Sequence, residues 1–231
     1  MFLTRKIFFV ASISICSIFS TQSNAGGITI GGTRVIYPAD KKQVSMSVRN
    51  TSENASFMVQ SWIENPDGSK SKDFVVTPPI YVSGPSNENI LRIMYVGPPV
   101  RKDVETLYYF NTKAIPSMDK NEINGKNILM LAATTRIKLF VRPSGLEPSM
   151  DKAFSMLTFH REGKKLRIEN PTPYHITLVN IKYGSHTLPD SMVNPRSNLL
   201  LQLPSSLNST IVYRTINDYG AATPEVSANI K

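Results

Sequence analysis

Apolar and polar residues alternate singly along most of the chain, and no long segment repeats its apolar positions every three or four residues. Alternation with period two is the mark of half-buried β-strands. "QVSMSVRN" sets Val44, Met46 and Val48 on one face, and after the polar turn "NTSENAS" the segment "FMVQSWIEN" gives a second strand carrying Phe57, Val59 and Trp62. "DFVVTPPIYV" holds Pro78 and Pro79, which lack the N–H that a central ladder needs, so the strand must break or shift there. "GPSNEN" turns into "ILRIMYVG", "ETLYYFNTKAIP" is a strand closed by Pro116, and "NILMLAATTRIKLFVRP" follows the loop "SMDKNEINGKN". About seven short strands at turn-rich spacing predict an all-β sandwich. "GGITIGG", ahead of them, reads as a flexible leader because four of its seven residues are glycine.

The pattern is interrupted at "RPSGLEPSMDK", where Pro143, Gly145 and Pro148 fall close together and predict a linker. Beyond it alternation resumes in "FSMLTFHREGKKLRIENPTPYHITLVNIKYG", "SNLLLQLP" and "STIVYRTINDYGA". Two β-sandwich domains are therefore expected, over residues 26–145 and 146–231.

The first 25 residues stand apart from this pattern. Arg5 and Lys6 precede the apolar run Ile7 to Phe19, and "SNA" at Ser23 to Ala25 fits a signal-peptide cleavage site. The run is shorter than the roughly 20 residues a spanning helix needs, so the mature chain is expected to begin near Gly26 as an exported protein. Acylation at Cys16 is the alternative, against which the bulky Ile15 speaks. Cys16 is the only cysteine, so the mature domains hold no disulfide, thiol nucleophile or cysteine metal site and depend on burial for stability. The formal net charge of +9 becomes +7 once Arg5 and Lys6 are removed. These cations are scattered and form no stripe, which argues for a solvated basic surface and against nucleic-acid binding.

Little in the chain points to catalysis. His160, His175 and His186 lack the paired spacing of a metal site, and there is no Gly-x-Ser-x-Gly elbow, P-loop or dinucleotide fingerprint. The reading is no enzyme, no metal and no cofactor. The sequons at Asn50, Asn54 and Asn208 carry no function in this reading.

One strand holds a contradiction. "NILMLAATTRIKLFVRP" has an apolar first half, while Arg136, Lys138 and Arg142 occupy its second half with no acid in the run. A core strand does not tolerate unpaired cations, and a solvated edge strand has no use for so many apolar residues. Read without further context, Arg34 is a surface arginine and Lys138 an outward lysine guarding an edge.

Five segments taken together resolve it. "TRVIYPADKKQVSMSVRN", "AIPSM", "RIKLFVRP", "ENPTPYHITL" and "YRTINDYGA" occur in the order seen in the PapD-like periplasmic pilus chaperones, and over the whole mature chain the sequence resembles that family, the type 1 fimbrial branch most of all. The resemblance implies two immunoglobulin-like β-sandwich domains arranged as a boomerang, with a cleft between them. It implies a periplasmic protein that lends the last strand of its first domain to a pilin subunit lacking one, in a one-to-one complex, and delivers that subunit to an outer-membrane usher. Leu129, Leu131 and Ala133 would then enter the subunit's groove while Ile128, Met130 and Ala132 face away; a bulge would shift that register by one residue. Ala133 is smaller than the residue such chaperones often carry there, which leaves the third anchor weak. Arg34 and Lys138 map onto the family's cleft pair, which holds the pilin's terminal carboxylate, and Glu105, Arg142 and Asp218 onto an interdomain charge network. The short loop and absent cysteines match the short-loop branch. Neither nucleic acid nor a small-molecule substrate is implied. An open apolar strand also invites edge pairing, so self-association of the client-free protein stays open. The competing reading is an exported immunoglobulin-like surface or adhesive protein without a client, which would tolerate changes at Arg34 and Lys138.

Overall fold

The computed structural model describes residues 26–117, 129–205 and 209–231. The expected signal segment, most of the loop after Pro116, Ile128 and the sequon Asn208 lie outside the described residues. The first half of the chain forms β1 (Ile28–Ile30), β2 (Arg34–Pro38), β3 (Val44–Asn50), β4 (Phe57–Glu64), β5 (Phe74–Thr77), β6 (Ile80–Ser83), β7 (Glu88–Tyr95), β8 (Thr106–Pro116) and β9 (Ala133–Arg142). One sheet runs β1-β3-β7-β5 and the other β2-β9-β8-β4-β6. Period-two burial decides which residues meet between them: Met46, Val48, Val59, Ile63, Leu91, Ile93, Phe110, Leu139 and Val141 are all buried in one cluster. Tyr37, Phe74, Tyr95 and Tyr108 close one end of it edge to face, with Phe74 4.9 Å from Tyr108 between ring centres. The Tyr37 hydroxyl accepts from the Tyr95 N–H at 3.0 Å and donates to the Lys41 carbonyl at 3.1 Å, so its buried oxygen is satisfied.

The expected break at Pro78 and Pro79 is a change of sheet: β5 pairs with β7, and β6 crosses to pair with β4. The glycine-rich N-terminus departs from expectation. It is no loose leader, because Ile28–Ile30 pairs antiparallel with Val48–Asn50 of β3. Ile28 and Ile30 pack against the core, and this burial together with ladder bonds outweighs the glycines flanking the triplet. Two residues after Gly31–Gly32 the chain switches sheets, and β2 runs parallel to β9.

The second half holds α1 (Met150–Ala153), a 3-10 turn (Phe154–Met156), β10 (Thr158–Glu162), β11 (Lys165–Asn170), β12 (Ile176–Tyr183), β13 (His186–Thr187), β14 (Ser191–Val193), β15 (Ser197–Gln202), β16 (Thr210–Thr215) and β17 (Val226–Asn229). Its sheets are β10-β11-β15 and β13-β12-β16-β17, with β14 added beside β12, around a core of its own that includes Phe159, Leu166, Ile168, Ile176, Leu178 and Tyr213. "FSM", read above as the start of a strand, is a helical turn instead. Met150, Ala153 and Phe154 stand at helical spacing and turn one face onto that core, in a segment too short to show periodicity.

Each domain is pinned by a fully buried asparagine at the end of an equivalent strand. Asn50 Nδ2 donates to the carbonyls of Ala55 (2.7 Å) and Gly84 (2.8 Å), and Asn170 Nδ2 to those of Tyr174 (2.7 Å) and Asn194 (3.0 Å). Their Oδ1 atoms accept from the backbone N–H of Ser52 and Thr172, both at 3.0 Å. Asn50, which the sequence offers only as a sequon, is 0 % exposed. Asn170→Ala strands buried carbonyls and should lower the unfolding free energy by about 2–3 kcal/mol in a urea titration, whereas a loss under about 0.5 kcal/mol would refute this role.

Candidate functional site

The answer to the cationic strand lies in which face of β9 meets which neighbour. Ile137, Leu139 and Val141 turn into the first domain's core, so Arg136, Lys138, Phe140 and Arg142 point the other way. From Lys138 onward that outer face is covered by the second domain, while Arg136 stays exposed. Phe140 is 2 % exposed, and its ring lies 5.4 Å from that of His175, immediately before β12. The face is therefore the seam between domains, which is why it holds cations without being a solvated edge.

Arg142 sits at the centre of this seam. Its Nε donates to Glu105 Oε1 at 2.5 Å, and Nη1 and Nη2 form a two-pronged pair with Asp218 at 2.5 and 2.7 Å. Glu105 immediately precedes β8 and Asp218 follows β16, so one guanidinium ties both domains. Burial would lower the Arg142 pKa, but the hydrogen bonds and charges of Asp218 and Glu105 outweigh it and hold the guanidinium above its ordinary value. Glu105 Oε2 also accepts the His175 backbone N–H at 3.0 Å, and a backbone bond from Glu105 to the Pro173 carbonyl (2.9 Å) reinforces the seam. Arg196 adds an exposed link to Asp103 at 3.1 Å. Arg136 is likewise satisfied, by Glu64 Oε2 at 3.2 Å and by the Tyr109 ring, 3.5 Å below its guanidinium carbon.

Arg34 and Lys138 differ. The parallel register of β2 on β9 places them as direct cross-strand partners, on the seam-facing side. Lys138 Nζ donates to Thr177 Oγ1 at 3.0 Å and Arg34 Nη1 to the Ile216 carbonyl at 3.3 Å; neither forms an ion pair with a described residue. The buried Arg34 Nε has no hydrogen-bond partner among the described residues. Desolvation pushes the Lys138 pKa down, and the charge of Arg34 adds to that. Burial also lowers Arg34, only partly opposed by Asp218 and Glu105. Two adjacent, partly desolvated cations whose described hydrogen-bond partners are neutral oxygens have the chemistry to accept an anion. Thr177 and the Ile216 carbonyl were not foreseen from sequence; neutral oxygens carry no charge pattern to betray them.

The other half of the strand is open. β8 pairs with β9 from Ala133 to Val141, but β2 pairs only from Lys138 to Arg142, so among the described residues Ala133–Ile137 has a strand neighbour on one side alone. Leu129 and Leu131, just before β9, are 83 % and 73 % exposed, and Ala133 is exposed too. Leu131, Ala133 and Thr135 border a cavity of about 230 Å³ with Ile28, Phe57 and Ala114. The site thus combines an unpaired strand edge, two exposed leucines leading into it, and a cation pair at its far end. Among the described residues no cluster of three or more His, Cys, Asp or Glu side chains is placed to hold a metal.

Comparison with known proteins agrees with this architecture. Residues 27–147 match the family model "Pili and flagellar-assembly chaperone, PapD N-terminal domain", and residues 152–227 match "Pili assembly chaperone PapD, C-terminal domain". The chain is 46 % identical over 213 residues to the probable fimbrial chaperone SfmC of Escherichia coli K12, covering 92 % of this chain and 93 % of that one. It is 44 % identical to the chaperone protein FimC of Escherichia coli O6:H1, covering 87 % and 83 %. Among solved structures, the periplasmic chaperone SfaE superposes with a TM-score of 0.77 at 40 % identity over 87 % of this chain and 98 % of that one. The SafB chaperone, in complex with the SafA pilin of Salmonella enterica, gives 0.79 at 29 % identity, over 88 % and 96 %. The chain belongs to the PapD family of pilus-assembly chaperones.

Proposed function

We propose that this protein is a periplasmic chaperone that captures fimbrial subunits by donating a strand to them and passes them to an outer-membrane usher. The observation that carries the reading is the open edge of β9 ending at a cation pair without a carboxylate. The segment from Leu129 to Ile137 supplies the missing strand of the subunit. Main-chain bonds form along its free edge, and Leu129, Leu131 and Ala133 serve as anchors in the subunit's groove. The subunit's terminal carboxylate accepts from Arg34 and Lys138, which fixes the register of the donated strand. The three-way pairing of Glu105, Arg142 and Asp218 sets the angle at which the second domain holds Thr177 and Ile216 against these cations. The domains divide between Gly145 and Leu146, within the irregular segment between β9 and α1, and residues 1–25 direct export and are removed.

The test is co-expression with a fimbrial subunit and recovery of the complex from the periplasm. Wild type should yield a stoichiometric soluble complex. Arg34→Ala or Lys138→Ala should each weaken it about 10- to 100-fold, the loss of a charge-assisted hydrogen bond worth about 1.5–3 kcal/mol. Stable variants that retain the subunit as wild type does would favour a client-free surface protein.

A further inference from the structure

The turn that follows β16 displays a residue that neither the seam nor either core employs. In "NDYGA", the Gly220 N–H donates to the Asn217 carbonyl at 3.0 Å and the Asn217 N–H to the Ala221 carbonyl at 2.9 Å, closing a tight hairpin. Asn217 Oδ1 accepts from the backbone of Tyr219 (3.1 Å) and Ala221 (3.0 Å), so the side chain staples its own turn. Asp218 is clamped by Arg142. Gly220 has φ +83°, and a Cβ there would run into Thr33 Oγ1 of the first domain, so the turn lies directly against the residue preceding Arg34. Between the clamped Asp218 and the wedged Gly220, Tyr219 is 94 % exposed, and its hydroxyl has no hydrogen bond to a described residue. Three residues before it, the Ile216 carbonyl holds Arg34.

We infer that Tyr219 is a subunit-contacting residue, presenting its ring at the rim of the Arg34–Lys138 pair to the apolar side chains and backbone just before the client's terminal carboxylate. The inference rests on the chaperone reading above. A tyrosine offers a large amphipathic surface with few torsions to freeze, and aromatic anchors of this kind dominate interface energetics. Here the backbone beneath it is already immobilised on both sides, so little ordering remains to be done on binding. The second domain would then contribute to holding the client directly, beyond supporting the cations.

The experiment challenges preformed complexes of one fimbrial subunit with excess fluorescently labelled wild-type protein and follows displacement, for wild type, Tyr219→Ala, Tyr219→Phe and Lys138→Ala. Truncating the ring should speed displacement about 10-fold, because interface losses appear mainly in dissociation, while Tyr219→Phe stays within about twofold of wild type. Thermal melting of Tyr219→Ala should match wild type, since the residue is 94 % exposed and belongs to neither core. Accelerated exchange in Lys138→Ala with Tyr219→Ala unchanged overturns this inference alone. Both variants unchanged overturns the cation-anchor part of the chaperone reading with it, and failure of the wild type to form a complex overturns that reading as a whole. Equal losses for Tyr219→Ala and Tyr219→Phe overturn packing on the ring.

Discussion

Arg142→Ala should lower the unfolding free energy by about 3–5 kcal/mol, the largest stability effect expected of any single seam residue. The asymmetry of buried ion pairs is the reason. Intact, the pair gains little over an apolar replacement, because removing two charges from water costs nearly what their attraction returns. Removing one partner leaves the other's cost uncompensated. The Glu105 side chain is 1 % exposed and that of Arg142 18 %, so the carboxylate cannot turn to water when the guanidinium is lost. Asp218, at 29 %, is freer, and its loss should be milder. Arg142→Lys should recover only part of the effect, since an ammonium cannot reproduce the two-pronged bond to Asp218 while also reaching Glu105. Arg101→Ala provides the contrast. Its ion pair with Asp103 has side chains 65 % and 46 % exposed, and solvent screening leaves such a pair contributing little to stability. Urea titrations of the three variants, with Trp62 emission reporting on the first domain, measure the difference. An Arg142→Ala loss no greater than that of Arg101→Ala would mean that the network does not couple the domains.

The same network shows where the amino-acid sequence was legible and where it was not. Alternation in "QVSMSVRN" and "FMVQSWIEN" located strands because one face of each is buried and the other is not, and Pro78–Pro79 marked a sheet change because a missing N–H is a local fact. Ile28–Ile30 and the helical turn at Met150 were obscured because their stability comes from tertiary burial of two or three residues. In "RIKLFVRP" the cations were visible, but their partners were not. Asp218 lies 76 residues from Arg142 and Thr177 lies 39 from Lys138, and only the resemblance to known chaperones joined Arg34, Lys138, Glu105, Arg142 and Asp218 into one region. His175 was noted only as an isolated histidine. Its backbone bond to Glu105 and its ring against Phe140 depend on how the two domains meet, for which no periodicity gives a signal.

Leu131→Asp should abolish subunit capture while leaving the chaperone folded. The side chain is 73 % exposed before a client binds, so the substitution removes no core contact and should move the melting temperature by no more than a surface change does. In the proposed complex the same position would be an anchor in an apolar groove. A buried leucine contributes about 1.5–3 kcal/mol, and an unpaired carboxylate forced into that groove adds a desolvation penalty of several kcal/mol. The sum exceeds three orders of magnitude in affinity, each tenfold being about 1.4 kcal/mol. Ala133 makes the register measurable by the same reasoning. It pairs with Ala114 and borders the cavity shared with Phe57, so Ala133→Leu extends the row of anchors and should tighten a client whose groove has room, whereas Met130→Asp, on the alternate face, should be tolerated. Periplasmic co-purification of one subunit with these three variants decides the matter. Loss of the complex with Met130→Asp and retention with Leu131→Asp would place the donated face one residue out of step with Ile137, Leu139 and Val141, and would require a bulge ahead of Ala133.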